Sequence, residues 1–180
     1  MVYGDRESSG VRRGNSFYHG DLDIYLAAPK NWEIINNSST LIFNAPQGAA
    51  SMSVDVIDLN RRETPKEYLN RISSGKLFQD EKMKLDSYEA HTALLISNSI
   101  TYRVAVVFKD KQIFRFSGSV KNNYQGAENY DNYFLSIINS FRGLKDNETK
   151  LAKALRIKIY KVQSEDTYSS LARESPIPFD

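Results

Sequence analysis

His19-Gly-Asp21-Leu-Asp23 is the stretch of this chain whose residue types could most readily do chemistry. Imidazole and carboxylate both bind zinc, and residues two apart on an extended segment face the same way. A zinc site needs three or four ligands. The other histidine, His91, stands alone between Glu89-Ala90 and Thr92, and no second cluster completes a ligand set. The stretch therefore reads as a turn in which Asp21 accepts backbone hydrogen bonds, and His91 as a structural or surface residue. Asp80-Glu81 and Asp110 fall in predicted turns, where solvation accounts for them.

Other reaction centres lack their parts. There is no Cys, which excludes disulfides, thiolate metal sites and Cys nucleophiles. No His-Glu-x-x-His, Gly-x-Ser-x-Gly, phosphate-cradling loop or dinucleotide fingerprint occurs. Two His permit a Ser-His-Asp triad in number, but no local motif supports one. Aromatic residues make up 12% of the chain, with eleven Tyr and one Trp. Such rings can stack on sugars or on partner side chains. Trp32, Tyr102, Phe114, Phe116 and Phe134 read instead as core.

A length of 180 residues suits one domain of about 100–150 residues with appendages. The net charge of +2 is small and its Lys and Arg are dispersed, which argues against a nucleic-acid partner. Lys145 to Lys161 is the densest basic run, with six basic and two acidic residues, and reads as a solvated face. No apolar run approaches the roughly 20 residues needed to span a bilayer, so no membrane insertion is expected of this segment. The first residues carry no basic-then-apolar signal pattern.

The elements that must position these residues follow from periodicity. Residues 1–16 are polar and hold Gly4, Gly10 and Gly14, and they read as a flexible arm. Ile24 to Ala27 predicts a strand that Pro29 ends, with Lys30-Asn31 turning into a strand over Trp32 to Ile35. Leu41 to Ala45 predicts the next. Met52, Val54 and Val56 alternate with polar residues, which gives a strand with one wet face. Thr64-Pro65-Lys66-Glu67 is a capping box with Pro at the first helical position; Tyr68, Leu69 and Ile72 share the helical face, and Gly75 terminates it. The stretch that follows is poorly defined. Ala93 to Ser97, Ile100 to Phe108 and Ile113 to Val120 predict a meander of three antiparallel strands, turning at Asn98-Ser99 and at Lys109 to Gln112. Tyr130, Phe134, Ile137, Ile138 and Phe141 predict a helix from about Glu128 to Arg142, capped by Gly143. Hairpin-length links imply an α+β domain, an antiparallel sheet flanked by helices. Leu155 to Val162 then reads as an amphipathic strand, and Asp166-Thr167 as the cap of a short helix.

"DIYLAAPKNWEI" resembles the opening of PsbP/Mog-type domains, in which a Pro-x-x-Trp turn joins two strands. "TPKEYLNRI" resembles their first helix, and "YFLSIINSFRGL" their closing helix with its Ser-Phe-Arg ending. These motifs keep their order across residues 22–144. The flanks carry a further resemblance. "GVRRGNSFYHGDLD" is similar to the segment after the catalytic domain of bacterial envelope zinc metalloproteases related to the CAAX prenyl endopeptidases. Arg13-Gly14, Phe17, His19 and Leu22 match it, and Gly20 departs from the Pro often found there. "LRIKIYKVQSEDTYSSLARE" resembles the start of a LysM-like module, matched at Asp166-Thr167 and Ser170-Leu171-Ala172.

The resemblance implies the C-terminal, non-catalytic part of such a protease, with Met1 an added start. It divides the chain into an arm (1–16), a PsbP/Mog-like domain (17–144) and a truncated LysM-like segment (151–180). It implies no cofactor in this chain, with zinc confined to the catalytic domain. The implied partners are that protease domain and envelope proteins or peptidoglycan, in the periplasm or cell envelope. Trp32, Tyr160, Asp166 and Thr167 are the residues expected to carry structure or interaction, Trp32 as a plug between sheet and helix. Two alternatives stand beside this reading. One is a stand-alone PsbP/Mog-type adaptor, and the other a small hydrolase or metal-dependent enzyme using His19, Asp21 and Asp23.

Overall fold

The computed structural model describes residues 7–37, 39–73, 76–121 and 130–154, together with positions 161, 164, 165, 167 and 169. Three short strands come first: β1 (Val11–Arg13), β2 (Ser16–His19) and β3 (Ile24–Ala27). They form an antiparallel sheet of their own, in the order β1-β2-β3. The chain then crosses at Pro29 to Trp32 into a second sheet. Its strands are β4 (Glu33–Asn36), β5 (Thr40–Asn44), β6 (Ala50–Asp58), β7 (Lys76–Leu85), β8 (Tyr88–Ser97), β9 (Ile100–Lys109) and β10 (Gln112–Val120). Their order is β4-β5-β6-β10-β9-β8-β7, and each neighbouring pair is antiparallel. Two helices complete the fold, α1 (Pro65–Ile72) and α2 (Tyr130–Asn139). No helix among the described residues is long and apolar enough to cross a membrane.

Strand alternation sorts the core into two layers, one on each face of the large sheet. Val104, Val106, Ala93 and Ile113 face α1 and pack on its Tyr68 and Leu69. Ala105, Val107, Phe114 and Phe116 face the other way. There they meet Phe134, Ile137 and Ile138 of α2, and Phe17, Ile24 and Leu26 of the small sheet. The architecture is therefore helix, large sheet, then helix with small sheet. Gly118 lets α2 come close: a Cβ there would lie 2.8 Å from the Phe134 ring and 3.0 Å from Met52 Cε.

The small sheet also closes an edge of the large one. Arg12 Nη1 donates to the Ile34 carbonyl (2.8 Å), and Asn36 Nδ2 donates to the Gly10 carbonyl (3.0 Å). Open strand edges invite pairing with other chains, and side-chain cover of this kind blunts them. At the opposite edge, β7 carries Lys76, Asp80, Glu81, Lys82 and Lys84, a charged guard.

Several expectations need correction. Residues 11–16, expected in a flexible arm, hold β1, the turn after it and the first residue of β2, because Val11 is buried and β1 pairs with β2. Gly10 takes φ +83°, and a Cβ there would strike the Phe17 ring at 2.3 Å. The poorly defined stretch is β7 and the start of β8, so the meander has four strands. A bulge shifts the β7 register between Phe78 and Glu81. Leu77 lies in the α1 layer while Met83 and Leu85 lie in the α2 layer. An extra residue flips the face of everything after it, and this erased the alternation.

Ile72 is 41% exposed rather than part of the buried helical face. Helix α1 ends with Ser73 as its cap, two residues before Gly75, which lies outside the described residues. The second helix ends at Asn139, and Gly143 has no positive φ to serve as a left-handed cap. Its smallness matters instead, since a Cβ would lie 3.4 Å from the Tyr88 hydroxyl and 3.5 Å from Asp23 Oδ2. Trp32 precedes β4 rather than opening it.

Gly118→Val should lower stability by about 1–3 kcal/mol by forcing α2 off the sheet, measured by urea unfolding. An unchanged midpoint would mean that α2 is not seated as described.

Candidate functional site

The turn at Pro29 to Trp32 packs on α2, and the end of α2 packs on the small sheet. The Trp32 N–H donates to the Pro29 carbonyl (3.1 Å), and Asn31 adopts φ +66°, so the chain reverses tightly between the two sheets. This aims the Trp32 ring at α2. Its centroid lies 6.1 Å from Tyr130, 5.9 Å from Tyr133 and 6.0 Å from Phe134, the last edge-on. Trp32 is 7% exposed, but Tyr133, outermost of the group, is 45% exposed. Edge-on and tilted rings at these separations attract through their quadrupoles.

The Ser-Phe-Arg ending of α2 is a clasp onto the small sheet. Ser140 Oγ accepts from the Ala27 N–H (2.8 Å) and donates to the Ile137 carbonyl (2.6 Å). Phe141 is buried against Phe114, Phe116 and Tyr88. Arg142 forms a backbone bridge with Tyr25 and lays its guanidinium 3.8 Å from that ring's centroid. The same guanidinium holds both oxygens of Glu148 (2.6 and 2.7 Å). Those bonds, with the Lys145 N–H, pull the Glu148 carboxyl down to about 2. The chain therefore continues past Leu144 on the same surface. Ala152 is buried beside Gly20, and Arg13 Nη2 donates to the Lys153 carbonyl (2.7 Å).

The buried charged groups are tied to structure. Arg103 makes two bonds to Asp131 in the first turn of α2 (2.7 and 2.6 Å). The carboxylate also suits the helix N-terminus. Lys109 lies 3.0 Å from Asp110 and 3.5 Å from Asp23. Burial alone would lower its pKa, but Asp110, Tyr88 and Asp23 outweigh that and raise it. His91 Nε2 lies 3.0 Å from Asp80, which also pairs with Lys66 of α1 at 2.6 Å. The bonds from Lys66 and then His91 hold the Asp80 carboxyl below the ordinary range.

The metal-like triplet is not brought together. His19 Nδ1 accepts from the Leu22 N–H (3.3 Å), Asp23 faces Lys109 and the Leu144 N–H, and Asp21 is exposed. Among the described residues no group of three or more His, Cys, Asp or Glu is placed to hold a metal ion. Glu81 is exposed on β7. Of the tail residues, Thr167 is exposed, while Tyr160 and Asp166 lie outside the described residues. Sequence reasoning missed Arg103, Lys109, Asp131 and the Arg142–Glu148 pair. The one available signal was a charged residue on an otherwise apolar strand, as at Arg103 between Tyr102 and Val104.

No family model matches the chain, and no curated protein matches it. Solved structures do. Cyanobacterial PsbP from Synechocystis aligns with a TM-score of 0.56 and 12% identity, over 74% of this chain and 95% of its own. A crystal structure from Bacteroides thetaiotaomicron aligns at 0.50 with 13% identity, over 76% of this chain and 51% of its own. LpqN of Mycobacterium tuberculosis, described as involved in cell envelope biogenesis, aligns at 0.46 with 12% identity, over 73% of this chain and 87% of its own.

Acid should weaken the fold in two stages. Burial depresses the His19 pKa below 6.5, with Asp21 opposing it, and protonation would also remove the acceptor for the Leu22 N–H. A depressed folded-state pKa means that the unfolded chain binds the proton more readily. Stability is then full above 6.5 and declines as pH falls through and below it. Glu148 adds a second loss as pH falls from 4.5 toward about 2. Unfolding free energies against pH should show the first loss in the wild type and not in His19→Asn; equal profiles would contradict the assignment. With β7 to β10, the small sheet and the α2 clasp in place, the chain has the antiparallel α+β fold of PsbP.

Proposed function

We propose that this chain is a non-catalytic interaction domain carried by a zinc metalloprotease of the bacterial cell envelope. It presents substrates or partners to a catalytic domain in the same polypeptide. The flanking sequences carry this reading: Arg13-Gly14, Phe17, His19 and Leu22 ahead of the Pro-x-x-Trp corner, and Asp166-Thr167 behind the domain. A PsbP-type fold is consistent with it. So is the use of His19, His91, Arg103 and Lys109 in internal ties, which leaves them poorly placed for catalysis. Zinc and the His-Glu-x-x-His helix belong, in this reading, to the catalytic domain.

A stand-alone adaptor is the second reading. It is favoured by one observation, that the PsbP structure is matched over 95% of its own length without any protease domain.

One measurement separates the readings and a second tests both. The upstream coding sequence should encode His-Glu-x-x-His in the same open frame; a native gene that starts at Met1 would favour the adaptor. The purified chain supplied with zinc should not hydrolyse casein, and activity that survives repeated purification would overturn both.

A further inference from the structure

We infer that the turn at Lys150 to Lys153 docks the protein on the surface of an anionic phospholipid bilayer. Leu151 is 39% exposed, one of few large apolar side chains in the described residues that face solvent this openly. Exposed Lys150 and Lys153 frame it. Neither ammonium makes an ion pair among the described residues. The turn is also rigidly presented. Ala152, between them, is buried beside Gly20, the Lys153 carbonyl is held by Arg13, and the Leu151 N–H donates to the Glu148 carbonyl (2.8 Å). A fixed apolar tip inside a basic frame is the arrangement that enters the headgroup region and meets lipid phosphates.

The local charge favours the same partner. Glu148 is neutralised by Arg142, and Lys145 stands exposed at the start of the turn. Asp146 and Asp21 are the exposed acids nearest in sequence or packing. Arg12 and Arg13 of β1 lie on the strand that the turn packs against. An acidic peptide would match the charge but gives no reason for the exposed Leu151. The contact is peripheral, made by one turn, and needs no segment that crosses the bilayer.

Co-sedimentation with vesicles of phosphatidylcholine, with and without phosphatidylglycerol, tests this. The chain should bind vesicles containing phosphatidylglycerol, ignore pure phosphatidylcholine, and be released by added salt. Lys150→Ala and Lys153→Ala should each weaken binding roughly fivefold. Leu151→Ser should weaken it several-fold while leaving the salt dependence alone. All three side chains are exposed, so the variants should melt with the wild type, which separates lost binding from lost folding. Failure to bind phosphatidylglycerol vesicles would overturn the proposal. So would a Leu151→Ser protein that binds like the wild type, since attraction would then be charge alone.

Discussion

The packing of α2 against both sheets is the contact on which the rest of this structure depends. One side of the helix reaches the large sheet through Phe134, and only a glycine at 118 leaves room for it. The other side is joined to the small sheet through Ser140 and Arg142. Trp32 closes the gap where the chain passes from one sheet to the other. Without α2 the small sheet would have three short strands and little core of its own, and such a unit is unstable alone. Burial of Phe43, Phe114, Phe116 and Phe141 follows from that seating.

Much of this could be read in the residues. The Thr64 capping box is made as written, with Glu67 accepting from the Thr64 N–H at 2.8 Å. Asn98-Ser99 turns with two positive φ values, as a two-residue hairpin requires. What escaped was non-local. Period-two reasoning assumes an uninterrupted strand, and the β7 bulge breaks that assumption at Gln79. The separation of β1 to β3 from the large sheet depends on where Pro29 sends the chain, which alternation does not encode. Ser-Phe-Arg was visible as a pattern, but its partners Ala27, Tyr25 and Glu148 are 6 to 117 positions away.

The site was less legible than the fold, for a physical reason. Histidines and carboxylates carry the same letters whether they bind a metal or brace a turn. His19 braces Leu22, Asp23 receives the Leu144 N–H, and Asp80 links α1 to β8 through Lys66 and His91. Each of these groups is occupied in fixing one element or turn against another. Exposed chemistry lies elsewhere, at Tyr133 on α2 and at the turn bearing Leu151.

Native-state hydrogen exchange tests the central role of α2 most directly. The amides of Ile137, Ile138 and Ala27 should open only with those of Phe116 and Val106, at the free energy of global unfolding. If Ile137 and Ala27 exchange through a much cheaper local opening while Phe116 and Val106 stay protected, α2 is an attachment to the large sheet and not the element that unites the fold.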